Sequence, residues 1–181
     1  MNGHSITASI VAMLCCTILV SCGRERHRMD GRWSLVAAKS ASIDPWTSFT
    51  LAIRTNGSSV SIIKEYSAGH PHDRRVDSMT VNMNGGEEVV SVPPGRWLGE
   101  VSMGVYYGPG MIRQVMARMN DAHNELLVES RETLQTGQGT IDVQMNESFT
   151  LSSDGSTIRW SEARSTRAGA PRIYELVRMT E

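Results

Sequence analysis

The chain has 181 residues, in which 18 Lys and Arg stand against 19 Asp and Glu, a formal net charge of −1 at pH 7. That near-neutral balance leaves no basic footprint, so a nucleic-acid partner is not expected. The three cysteines, Cys15, Cys16 and Cys22, all precede residue 23, which leaves no pair for a disulfide in the rest of the chain and requires its fold to hold by packing alone.

From Ile10 to Val20 the chain reads IVAMLCCTILV, an apolar core of signal-peptide length and well short of the roughly 20 residues that a membrane span needs. It runs into Leu19-Val20-Ser21-Cys22. This ending resembles a bacterial lipoprotein signal peptide, in which signal peptidase II cuts before a cysteine whose thiol carries diacylglycerol. The resemblance implies a cleaved signal peptide over 1–21 and lipid attachment at Cys22. A charged linker over 22–30 and one folded domain over 31–181 would follow. The membrane is then a partner through the lipid anchor. Gly23, where an Asp would signal retention, implies the outer membrane of the cell envelope. The region before the core, MNGHSITAS, carries no Lys or Arg, whereas Arg24, Arg26 and Arg28 follow it. By the positive-inside rule that asymmetry favours the alternative of a short uncleaved anchor. Cleavage leaves 160 residues, an ordinary single-domain size.

From Gly31 the apolar residues recur every second position, the pattern of half-buried strands. Trp33, Leu35 and Ala37 share one face, and Phe49, Leu51 and Ile53 another. Thr55-Asn56-Gly57-Ser58 predicts a hairpin, because Asn-Gly tolerates the positive φ of a tight turn. Its partner strand carries Val60 and Ile62 and gives way to a polar loop from Ser67 to Arg75. Met79, Val81 and Met83 alternate again, Asn84-Gly85-Gly86 predicts a second turn, and Val90 and Val92 continue until Pro93-Pro94-Gly95 ends the ladder. Trp97 to Tyr107 reads as a strand bent at Gly99 and Gly104. Residues 111–119 fit a helix or a strand; the alternation of Glu125 to Leu134 after an Asn-rich turn favours a hairpin. Further on, Asp154-Gly155 turns the chain, and Arg172 to Arg178 closes it. The total is an all-β fold of roughly eight to ten antiparallel strands, most simply an up-and-down barrel, which leaves no exposed edge.

Gly31-Arg32-Trp33 at the start of the first strand and Arg178 near the end of the last are similar to the lipocalin-like, or calycin, barrels. In that family the tryptophan closes one end of the barrel and the arginine packs across it. The resemblance therefore implies a structural, barrel-closing role for Trp33 and Arg178. A lipobox ahead of such a barrel resembles the bacterial outer-membrane lipocalins, which implies a small apolar or amphipathic ligand. The alternative is an envelope scaffold or protein-partner-binding lipoprotein whose barrel is filled, and an opened β-sandwich is the rival fold.

Sites of chemistry are sparse. His70-Pro71-His72-Asp73 gathers residue types that suit zinc or copper, but Pro71 restricts their convergence and a site needs about three or four ligands, so the stretch reads as a polar loop and no metal is assigned. Ser61-Ile62-Ile63-Lys64 has the spelling of the Ser-x-x-Lys enzymes yet lies in a strand without the companion motifs. No Gly-x-Ser-x-Gly, His-Glu-x-x-His or phosphate-binding glycine loop is present, so neither an enzyme nor a cofactor is expected. Asp121, His123 and Glu125 fall in a turn. Met79, Met83, Met103, Met111, Met116, Met119 and Met145 are expected to fill the core.

Overall fold

The computed structural model of the protein describes residues 27–69, 74–92, 110–136 and 139–180. They form ten strands: β1 (Gly31–Leu35), β2 (Ser48–Asn56), β3 (Ser59–Ser67), β4 (Arg74–Asn82), β5 (Asn84–Ser91), β6 (Ile112–Met119), β7 (Glu125–Thr136), β8 (Gly139–Leu151), β9 (Thr157–Arg164) and β10 (Arg172–Arg178). All pairings are antiparallel, and β1 pairs with β10, placing Trp33 opposite Arg178 and Leu35 opposite Leu176. The sheet order β4-β3-β2-β1-β10-β9-β8-β7-β6-β5 makes an up-and-down barrel that is nearly closed, with a seam where β4 and β5 end the sheet.

Alternation explains which residues point inward. Phe49, Leu51 and Ile53 on β2 and Val60 and Ile62 on β3 are buried, and the Asn56-Gly57 turn between them has Gly57 at φ 60°. Residues 112–119 form a strand, with Val115 and Ala117 buried, because β5 and β7 pair with it on either side and supply the backbone partners that a helix would have made internally. The first strand is shorter than its pattern suggests. It stops at Leu35, and Ala37 lies in a 3₁₀ turn, Ala37–Lys39.

The turn expected at Asn84-Gly85-Gly86 is not there. β4 ends at Asn82, Met83 makes the bend, and the two glycines lie inside β5, where the register slips between Asn84 and Glu87. Gly85 sits at φ 76°, and Asn84 Oδ1 accepts a hydrogen bond from the Gly86 amide at 2.9 Å; both absorb the extra residues of a bulge. The two strands splay instead of pairing. Side chains bridge the gap. The Asn82 amide N–H donates to Glu88 Oε1 at 3.2 Å. Arg113 on β6 donates to Asp77 on β4 at 3.1 and 2.9 Å and to the Ser78 carbonyl at 3.2 Å.

The two ends of the barrel differ. At one end lie the tight connections: Asn56 to Ser59, Asn120 to Glu125 and Ser152 to Thr157. In the last of these, Ser152 Oγ, with the amide and hydroxyl of Ser156, donates to the Asp154 carboxylate and lowers its pKa to about 2. At the other end lie two long connections, residues 36–47 and 165–171. The 93–109 stretch, with the expected Trp97–Tyr107 strand, lies outside the described residues. Met79 and Met145 are buried as expected, and Met83, Met111 and Met119 pack partly buried against the core. Met116 lies on the outer face, since Val115 and Ala117 take the inward positions of β6. Met103 lies outside the described residues.

Candidate functional site

The inward face of each strand changes character in the same direction. Read away from the tight turns, β9 carries Ile158, Trp160 and Glu162; β8 carries Leu151, Phe149 and Glu147; β3 carries Val60, Ile62, Lys64 and Tyr66; and β4 carries Val81, Met79 and Asp77, all of them buried. Ladder pairing aligns much of this change. Leu176, Ile158 and Leu151 lie in one row, Tyr174, Trp160 and Phe149 in the next, and Glu162 and Glu147 in the one after. An apolar floor is thus followed by an aromatic layer and then by a layer of charge.

Trp33 is the centre of the floor. Its ring is fully buried, its indole N–H donates to the Met29 carbonyl at 3.2 Å, and the Arg178 guanidinium lies 4.1 Å from the ring centroid. A guanidinium plane over an indole face is attracted by the ring quadrupole and seals it from water. Above the floor, Trp160 stacks on Tyr174 at 4.3 Å and on Phe49 at 5.1 Å, with Phe149 parallel at 6.0 Å.

The charged layer rests on those rings. The Lys64 ammonium pairs with Glu147 Oε1 and stands 5.0 Å from the Trp160 ring centre, while Trp160 Nε1–H donates to the same carboxylate oxygen at 2.9 Å. Arg167 donates to Glu162 Oε1 at 3.0 Å. Tyr66, 5% exposed, has its pKa pushed well above the ordinary phenol value, first by burial and then by the carboxylates of Glu162, Glu147 and Asp77. Its hydroxyl therefore stays protonated and able to donate. The layer is not saturated: among the described residues the Tyr66 hydroxyl makes no hydrogen bond, and Lys64 uses one of its three donors.

Burial, then the Glu147 charge, raises the Glu162 pKa, with Lys64 and Arg167 opposing. A raised pKa means that the folded state holds the proton more tightly than the unfolded chain. Stability from this group is therefore complete below the ordinary value of 4.5 and declines as pH rises through the folded pKa. Glu162→Gln removes that titration. The stability of the wild type relative to the variant, read from denaturant midpoints, should fall as pH rises from 4.5; a rise would contradict the stated environment.

Among residues singled out from the sequence, the structure brings Trp33 and Arg178 together. Cys22, His70, His72 and Asp73 lie outside the described residues. Ser61 and Lys64 fall on opposite faces of β3, so no nucleophile–base pair forms. His123, at φ 53°, meets His27, with Nε2 of His27 3.3 Å from Nδ1 of His123, and among the described residues no group of three or more His, Cys, Asp or Glu is placed to hold a metal. Asp77, Arg113, Glu147 and Glu162 carry no motif, and Lys64 enters the sequence reading only through Ser-x-x-Lys, although the alternation that places Val60 and Ile62 inward places Lys64 inward as well. No protein-family model matches the chain, and no curated protein matches it in sequence.

Proposed function

We propose that the protein is a lipid-anchored envelope lipoprotein, tethered to the outer membrane through Cys22, whose lipocalin-like barrel binds a small amphipathic ligand. The observation that supports this is the unsaturated charged layer lying directly on stacked rings. Lys64 and Tyr66 offer donors, and Glu147 and Glu162 acceptors, to a polar head; a barrel kept only for stability gains nothing from burying such groups. Lysophosphatidylethanolamine and palmitate are suitable probes. Either should perturb tryptophan fluorescence saturably, and Lys64→Met with Glu147→Gln should weaken the response. Saturable binding unaffected by that double variant would place the ligand elsewhere. The address is tested separately. Cys22→Ser should stall or release the precursor, and a variant that stays membrane-bound at mature size would refute lipidation.

The second reading, a partner-binding lipoprotein with a filled barrel, is favoured by the outer face of the seam. A cleft of about 470 Å³ there is lined by Ser61, Ile63, Ser78, Thr80 and Val90, and Val89 and Ile112 beside it are exposed. Absence of any saturable response to amphipathic probes favours this reading.

A further inference from the structure

The residues that join the tether to the barrel are bound across its closed end. Met29 is fully buried in the core. The Asp30 carboxylate accepts from the amide and hydroxyl of Thr55 at 2.8 and 3.1 Å, which fixes the segment to β2. Arg178 on β10 donates to the carbonyls of Asp30 and Arg28 at 2.7 and 2.5 Å. Arg28 in turn donates to the Ser153 carbonyl at 2.7 Å, in the β8–β9 turn. His27 meets His123 in the β6–β7 turn, on the far side of the barrel from β1. Residues 27–30 thus cross the whole closed end, fastened to four separate parts of its rim.

We infer that this closed end, where the tight turns lie, faces the lipid surface and that the opposite end of the barrel points away from it. The inference rests on the proposed lipidation of Cys22, and the rest is geometry. Cys22 is five residues before His27, a reach of about 18 Å at full extension. β8, with 13 residues, is about 40 Å long and spans roughly 30 Å of barrel height at an ordinary tilt. The tether is shorter than the barrel, and it leaves from the wrong end to bring the opposite end to the bilayer. Residues 27–30 are clamped to the barrel, so none of them lengthens the tether. A lipid surface is the partner this end fits: Arg28 is exposed there, as is Met179 at the end of β10, a cation and an apolar side chain suited to anionic headgroups. Any ligand then exchanges with the aqueous side or with a soluble partner, not laterally from the membrane that holds the protein.

The test uses lipidated protein extracted from membranes and reconstituted in phosphatidylethanolamine–phosphatidylglycerol vesicles that carry a headgroup spin label. With Cys22 acylated, Ser153→Cys and Ala168→Cys each provide one site for a fluorophore, the first in a closed-end turn and the second in the long β9–β10 connection. Both side chains are exposed. The label at 153 should be quenched several-fold more strongly than the label at 168. Equal quenching, or stronger quenching at 168, in protein that floats with the vesicles would overturn the inference while leaving lipidation intact. Protein that does not float would overturn the lipidation reading itself, and the inference with it.

Discussion

Trp33→Ala should destabilise the protein by about 3 to 5 kcal/mol, the usual cost of truncating a buried tryptophan and a large part of the roughly 5 to 15 kcal/mol that holds a typical domain. The ring is fully buried, so its removal leaves a cavity at the junction of β1, β2 and β10, and it also leaves the Met29 carbonyl without its indole donor. Arg178→Ala should cost less, about 1 to 2 kcal/mol, through the lost cation–π contact and packing. Because the two side chains touch, their losses should not add in a double-mutant cycle measured by denaturant unfolding. Strict additivity would show that the guanidinium does not stabilise the ring. Gly31 supplies an independent check. It sits at φ 147°, and a Cβ there would lie 2.7 Å from Arg178 Nη1, so Gly31→Ala should displace the arginine and reproduce much of the Arg178→Ala loss.

Glu147→Leu should cost about 3 to 5 kcal/mol, the range for removing one partner of a buried ion pair. Both members of the Lys64–Glu147 pair are almost wholly enclosed, at 4% and 2% side-chain exposure. The substitution strands a buried ammonium and also removes the acceptor of the Trp160 indole N–H. Lys64→Met with Glu147→Gln should recover most of that loss, since the charge is gone and the glutamine carbonyl can still accept from Trp160. The measurement is the unfolding free energy of the three variants. A double variant as unstable as Glu147→Leu would show that the pair is not the source of the loss.

The strand plan was legible because period-two burial is written residue by residue. Phe49-Leu51-Ile53 and Tyr174-Leu176 point inward in the folded barrel, as their spacing requires. Turn chemistry was legible where one local conformation decides the outcome, as at Asn56-Gly57 and Asp154-Gly155. It failed at Asn84-Gly85-Gly86, where the same glycines serve a bulge, because a turn and a bulge both need positive φ and only the pairing of β5 with β6 chooses between them. The ambiguity at residues 112–119 had a similar origin. Val115 and Ala117 suit a strand, but the segment is also helical in spacing, and neighbours on both sides decide.

Alternation and local turn conformation were enough for the all-β class, the antiparallel meander and the apolar inward residues of strands such as β2, β3 and β10. Folding in three dimensions sets the seam where β4 and β5 part and the level at which Lys64, Glu147 and Glu162 meet above the stacked rings. These depend on register and on the shear of the sheet around the barrel, which bring together residues as far apart as Lys64 and Glu147. Register between distant strands is set by the packing of whole faces, and no local stretch of chain carries that information.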